Sequence, residues 1–311
     1  FADATFHVTE KLDLFAGFRF TEEELDSTLN NYAQIGVYPI ASLSNSFDSS
    51  TRVLDSEAFP VFPDGGDPTA VGSDSTSENF VSYRAGGSYA FTDNVNAYAS
   101  VSRGHIGVGK NIAFTGRTGK FLEPTEADAI ELGLKSVLLN DRLRFNVAFF
   151  SQEVTDLQAS ALIPGTVSTE TINAGDLDIS GVEADLSFAV TENFALTASV
   201  VSLDSEIENL LQSCYFDQLT AGTGCTIDGN GDGVPETQDV AGFQGPNAPD
   251  LKYNLGASLT LPMANLPFEL YAAANYVWQD SIQFTLDQDD LARQDSYGLL
   301  DLTFGLVDKA G

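Results

Sequence analysis

Long apolar runs are missing from this chain. A stretch of about eighteen apolar residues, the least that a transmembrane helix needs, occurs nowhere in its 311 residues, and helical periodicity is nowhere convincing. Basic residues are scarce: 14 Lys and Arg stand against 45 Asp and Glu, a formal net charge of −31. That balance excludes nucleic-acid binding by phosphate neutralisation and leaves cations or cationic partners open. Cysteine and histidine number two each, too few for a zinc module, and His7 and His105 are remote from one another and remain unassigned. No Ser-His-Asp arrangement, phosphate loop, HExxH or dinucleotide fingerprint appears, so the chain is not read as an enzyme and requires no cofactor. The opening FADATFHVTE lacks a signal peptide's charged-then-apolar layout. None of this makes the protein soluble. A transmembrane barrel needs only strands of about ten residues with alternate side chains apolar, and the mean hydropathy of −0.04 suits either environment.

What the chain does contain is period-two alternation. In NDRLRFNVAFFSQEVTDLQ, Leu143, Phe145, Val147 and Phe149 share one parity, and Arg142, Arg144 and Asn146 share the other. This is the pattern of a strand with two unlike faces, and it runs about three times the usual strand length. LKYNLGASLTL and FELYAAANYVWQD repeat it, as do LDLFAGFRF, FVSYRAGGSYAF, VNAYASVSRG, IELGLKSVLL, GVEADLSFAV and FALTASVVS. Between these segments the connections alternate in length. Thr9-Glu10, Thr92 to Asn94, Asn140-Asp141, Thr191 to Asn193 and Met263 to Asn265 are tight turns, whereas residues 22–78, 104–124, 158–171, 204–249 and 285–295 form long polar connections. Short and long ends therefore segregate to opposite sides, the scheme of an up-and-down membrane barrel with short periplasmic turns and long extracellular loops.

A soluble β-sandwich or solenoid also alternates, but its strands are shorter and loops of more than forty residues are rare in it. The fold class expected is all-β, a transmembrane antiparallel barrel of about eleven strands over residues 1–311. One face meets lipid. The other, with Glu131, Lys135, Arg142, Arg144 and Asn146, lines a lumen or touches a plug. Tyr276 and Trp278, near a strand end, suit an interfacial aromatic girdle, although buried aromatics in any β-protein read alike.

Several of these segments carry a family resemblance. FLEPTEADAIELGLKSVLLNDRLRFNVAFFSQEVTDLQ resembles the part of TonB-dependent outer-membrane transporters in which a Pro-Glu segment leads into an E-L-G-x-K strand, a tight turn and an R-x-x-x-A-x-F strand. LFAGFRFTEEE, YRAGGSYAFTDNVNAYASVSRG, TINAGDLDISGVEADLSFAVTENFALTAS and QGPNAPDLKYNLGASL are similar to the same family in the same order. The resemblance implies a 22-stranded barrel around a globular plug, with an energy-coupling segment ahead of it. Nothing here is similar to the plug, so the chain is expected to be the C-terminal part of such a barrel without its last strands. It further implies a Gram-negative outer membrane as the location, contact with its lipids and lipopolysaccharide, coupling to the TonB complex through the missing N-terminal part, and a small-molecule ligand. The function expected is active uptake of a scarce nutrient, a ferric siderophore or another small organic compound. The alternative is a surface structural or adhesive barrel whose acidic loops mediate assembly.

Two features sit in the longest C-terminal loop. Cys214 and Cys225, in CYFDQLTAGTGC, fall on the oxidising extracellular side, so a disulfide is the natural reading, and closing a loop of that size is worth roughly 3 kcal/mol in the chain-entropy model. DGNGDGVPETQD follows, with the D-x-N-x-D-G spacing of a calcium loop. Asp228, Asn230 and Asp232 would supply side-chain oxygens, Gly233 the turn, Val234 a carbonyl and Asp239 the last carboxylate. A solvated acidic turn uses the same residue types, and both readings stand. TEEELD, from Thr21 to Asp26, reads as a solvated rim above the membrane, a binder of divalent ions among lipopolysaccharide head groups, or an attractor of cationic substrate.

Overall fold

A computed structural model describes residues 1–30, 71–111, 120–162, 169–228, 233–264 and 266–308. Among them, eleven long strands form one antiparallel sheet in which each strand pairs with its neighbours in sequence. They are β1 (Ala2–His7), β2 (Leu12–Asn30), β3 (Val71–Thr92), β4 (Val95–Ile106), β5 (Thr125–Leu138), β6 (Leu143–Thr155), β7 (Asp176–Thr191), β8 (Phe194–Glu208), β9 (Leu251–Pro262), β10 (Phe268–Gln279) and β11 (Tyr297–Asp308). The sheet is a meander with β1 and β11 as its edges. Tight turns set the registers. Asn193, for example, donates its amide to the Thr191 hydroxyl and fixes the β7–β8 pairing from Phe194 to Glu208.

The outward face of each strand begins apolar at the short-turn end and becomes polar toward the long loops. On β2 the change falls between Phe20 and Glu22, on β4 between Val101 and Arg103, on β6 between Phe149 and Ser151, and on β8 between Val200 and Ser202. Following direct pairs across the sheet, the last apolar row starts at Phe20↔Val81 and ends at Tyr253↔Trp278, which lies on the row of Leu12↔Tyr89. The boundary thus slides from position 20 to position 12 of β2 over the eight strand steps from β2 to β10. One residue per strand, about 3.3 Å along for about 4.8 Å across, is a tilt of roughly 35°. A flat water line across a tilted barrel wall produces this staircase; a sandwich core does not. Phe18, Phe20, Ile130, Leu132, Leu255, Leu302 and Phe304 all remain exposed on this face, as a lipid-facing surface requires.

Two expectations need correction here. Residues 22–78 are not all loop: the β2–β3 ladder continues to Asn30↔Val71, and β8 likewise reaches Glu208 before its long loop begins. Backbone pairing sustains both extensions, although their side chains are largely polar. The strand of the Asn140–Gln158 segment is also shorter than its alternation suggested, ending at Thr155.

Candidate functional site

The face opposite the apolar one carries glycines, polar and charged residues and a few aromatics. Tyr98 on β4 leans across Gly133 on β5, where any Cβ would run into its ring, and Glu131 and Lys135 flank that glycine at two residues either side. The phenol is hydrogen-bonded to Glu131, and the Lys135 Nζ lies 5.1 Å from the ring centroid, within cation–π range. From Lys135 a row of direct pairs runs through Asn146, Asp185, Ser199 and Asn254. Asn146 Nδ2 donates to Asp185 Oδ1 at 3.3 Å. Glu183, two residues from Asp185, lies on the row of Tyr98 and Gly133, and Tyr98, Lys135, Asn146, Glu183, Asp185 and Ser199 line a depression of about 330 Å³. Phe15 over Gly86 and Phe150 over Gly181 repeat the aromatic-on-glycine arrangement on the same face, which pins register across neighbouring strands.

Of the five residues placed on this face by sequence, Glu131, Lys135 and Asn146 meet in this one constellation. Arg144, opposite Val137 and Ser187 and exposed, shares their parity nearer the short turns. Arg142 is different: it sits in the turn before β6, not on the strand, and its guanidinium donates to the carbonyls of Ala189 and Val190. It closes the irregular last pair of β7 instead of pointing along the wall. A turn residue escapes the strand's alternation, so parity could not place it.

Above the water line the long connections form a layer. Gln158 Nε2 donates to the carbonyls of Gly107 and Glu123, and Asn173 Nδ2 to those of Glu123 and Asp156, so the β4–β5 and β6–β7 loops are tied together. Glu23 of β2 accepts from the Val108 amide at 3.2 Å. Farther round, Gln238 Nε2 donates to the Asp287 carbonyl at 2.7 Å and Gln288 Nε2 to that of Gln244 at 3.2 Å, tying the β8–β9 loop to the β10–β11 loop. Beneath these bonds a small core of Ala174, Ile207, Leu210, Val240 and Leu286 joins three loops. These amides carry no charge and no periodicity, so nothing in the sequence marks their role. His105 is equally silent in sequence; it is buried at the rim, stacked 4.8 Å from Phe80, with Glu126 on Nε2 at 3.0 Å and Ser82 near Nδ1 at 3.2 Å.

The disulfide Cys214–Cys225 is formed, with Cα atoms 5.9 Å apart. It fastens a short helix, α1 (Phe216–Ala221), to a small hairpin of residues 211–213 and 237–239. At the ends of the calcium-type segment, Ile227 forms an isolated antiparallel bridge to Thr237, which begins the short strand Thr237–Asp239. Asn230 and Asp232 lie outside the described residues. Asp228 Oδ2 accepts from the Gly233 amide at 2.7 Å, Asp239 Oδ1 accepts from Ala241 at 3.0 Å, and Val234 is exposed.

Tyr253 and Trp278 stack outward at 5.4 Å beside Tyr276, on the apolar side of the water line. The wall has counterparts among known proteins. The family model described as TonB dependent receptor-like, beta-barrel matches residues 1–308. Over 148 residues the chain is 26% identical to a probable TonB-dependent siderophore receptor, PiuA, of Acinetobacter baumannii, covering 46% of this chain and 19% of that protein. Among solved structures, the ferric yersiniabactin uptake receptor FyuA from Yersinia pestis superposes with a TM-score of 0.67 at 16% identity, over 97% of this chain and 37% of that one. The siderophore receptor PiuA from Acinetobacter baumannii gives 0.59 at 19%, over 96% and 35%. The chain thus spans well under half the length of these relatives. With all but its last residues matched, it belongs to the TonB-dependent receptor family, as β-barrel sequence of the outer membrane of a Gram-negative bacterium.

Proposed function

We propose that the protein to which this chain belongs takes up a scarce nutrient across the outer membrane, a ferric siderophore or another small organic ligand, using energy delivered through TonB. The observation that carries this reading is the family match over residues 1–308, and siderophore receptors recur among the relatives. The geometry agrees: a lipid-facing wall carries on its other side a polar face with mixed charge, below a stitched layer of loops. Ligand arriving from outside meets the loop layer first. The Tyr98, Glu131, Lys135 and Glu183 group lies below, where a plug or a passing ligand would contact the wall. Uptake of labelled ferric chelates by cells carrying the full-length protein should require both TonB and an energised inner membrane. Binding without energy-dependent accumulation for every chelate tried would leave the assembly or adhesive role as the better account.

We also propose that the segment from Asp228 to Asp239 holds a calcium ion, on the strength of its D-x-N-x-D-G spacing. Millimolar calcium should then slow proteolysis between Cys225 and Thr237 relative to chelator, and Asp232→Ala should remove that difference. Equal cleavage in both conditions would leave a solvated acidic turn.

A further inference from the structure

Two pairs of large apolar side chains protrude from the extracellular layer. On α1, Phe216 is 75% exposed and Leu219, one helical turn on, is 40% exposed; on the β10–β11 loop, Leu291 is 83% exposed and Phe284 48%. The second pair is held together because Phe284 donates its amide to the Ala292 carbonyl at 3.0 Å. The two pairs are also fixed to one another. Gln218 of α1 donates to Gln238 at 2.8 Å, and Gln238 donates to the Asp287 carbonyl, so helix and loop share one support, with the disulfide at the helix's root. Tyr215, the residue before α1, is within electrostatic reach of Asp217 on the helix and of Asp287, Asp289 and Asp290 on the β10–β11 loop.

On a disulfide-anchored helix and a capped turn, these side chains stand exposed and join no core among the described residues. Their shape decides the kind of partner. Small molecules bind in concavities that bury most of their surface, whereas protruding Phe and Leu are anchors that enter a partner's own pockets. Charge decides its sign. The carboxylates around Tyr215 would repel a second copy of this chain, which brings the same carboxylates, and would repel anionic lipid head groups equally. They complement a basic surface.

We propose that α1 and the tip of the β10–β11 loop form an extracellular docking surface for a basic, amphipathic polypeptide. Phe216, Leu219, Phe284 and Leu291 are its apolar anchors, and Asp217, Asp287, Asp289 and Asp290 are its charged surround. The surface is separate from the lumen wall and does not depend on the uptake reading.

The test uses the full-length protein in nanodiscs of zwitterionic lipid and, as probe, a synthetic amphipathic peptide of lysine and leucine. Wild type should bind it at least tenfold more tightly than Phe216→Ser/Leu291→Ser and than Asp217→Asn/Asp290→Asn. These side chains are exposed, so both variants should keep the barrel's circular dichroism and the disulfide's mass. A lysine–serine peptide of equal charge and a glutamate–leucine peptide should each lose the difference between wild type and variants. Equal binding by wild type and either variant would overturn the proposal, as would an undiminished difference with either control peptide. Failure of a polar thiol reagent to label Leu291→Cys in the full-length protein would show the surface covered and overturn it too.

Discussion

At the scale of single residues, the two faces of one strand set opposite rules. Leu255 projects from β9 on the apolar side and is half-exposed there, while its neighbours Asn254 and Gly256 fall on the opposite face. Leu255→Arg should destabilise the barrel by roughly 2 to 4 kcal/mol if the position is near the midplane, and Lys252→Ala should do far less, as read by urea unfolding in lipid. Spin labels sharpen the point: the label at 255 should be oxygen-accessible and the one at 254 water-accessible, and the reverse would mean the faces are misassigned. Gly133 sets a steric rule. A methyl there meets the Tyr98 ring, so Gly133→Ala should cost about 1 to 3 kcal/mol by overpacking. Gly104→Ala, where nothing lies within 4 Å, should change stability little. Tyr215 offers a titration. Burial first, and then Asp290, Asp289, Asp217 and Asp287, hold its phenol above the ordinary tyrosine range. A raised acid pKa means that the folded loop retains the proton longer than the unfolded one. The docking of α1 should therefore be intact below about pH 10 and weaken as pH rises beyond it, seen as faster hydrogen exchange or cleavage in residues 214–225 that Tyr215→Phe does not show.

At the scale of elements, the wall and the loop layer are held by different forces. The wall is held by long backbone ladders, and each strand is paired over most of its length. The layer above is held by a handful of side-chain amides, a five-residue core and one disulfide. Replacing Cys214 and Cys225 with alanine should free α1 and raise protease sensitivity between residues 209 and 250, leaving heat-resistant barrel structure unchanged; loss of the barrel itself would show that the layer supports the wall. Gln238→Leu is the finer probe, since it keeps volume but removes the donor to Asp287 and the acceptor of Gln218. It should leave two groups without their partner, at about 1 to 3 kcal/mol where they stay buried, and loosen the β10–β11 loop together with α1. Loosening of α1 alone would mean that the two loops are not supported in common.

At the scale of the whole molecule, charge and shape follow the membrane's own geometry. The staircase of apolar boundaries from Phe20 to Trp278 tilts the strands by roughly 35° and leaves a polar band on the outside above it. There Arg103 pairs with Asp128 and, at 3.0 Å, with Glu126. With a formal charge of −31 over the chain, and with Asp217, Asp287, Asp289 and Asp290 gathered about Tyr215, the extracellular surface should attract cations at low salt. Raising ionic strength from about 20 to 200 mM should therefore weaken association of any basic partner mainly through a slower on-rate. Stopped-flow measurement of the lysine–leucine peptide on the full-length protein checks this, and a salt-independent on-rate would contradict it.

The sequence by itself determined the wall. Alternation is a local property with a period of two, and a tight turn such as Thr191 to Asn193 leaves few registers open, so strand order, the two faces and the family were all legible in LRFNVAFF and its repeats. It determined the disulfide for a similar reason: two cysteines in one extracellular loop have few alternatives. Only the tertiary structure decided what lies above the water line. Val71 to Asn79 on β3 is polar and shows no periodicity, yet backbone bonds to β2 keep it a strand. Arg142 left the alternation because it belongs to a turn. The group of Tyr98, Glu131 and Lys135 on the face opposite the apolar one needed a neighbouring strand's register to bring a tyrosine over Gly133. The loop layer is fixed by amides joining residues far apart in sequence, Gln158 to Gly107 and Gln238 to Asp287. Such contacts have no period and no motif, since any glutamine can make them; which ones do is settled when the wall has set where each loop begins and ends.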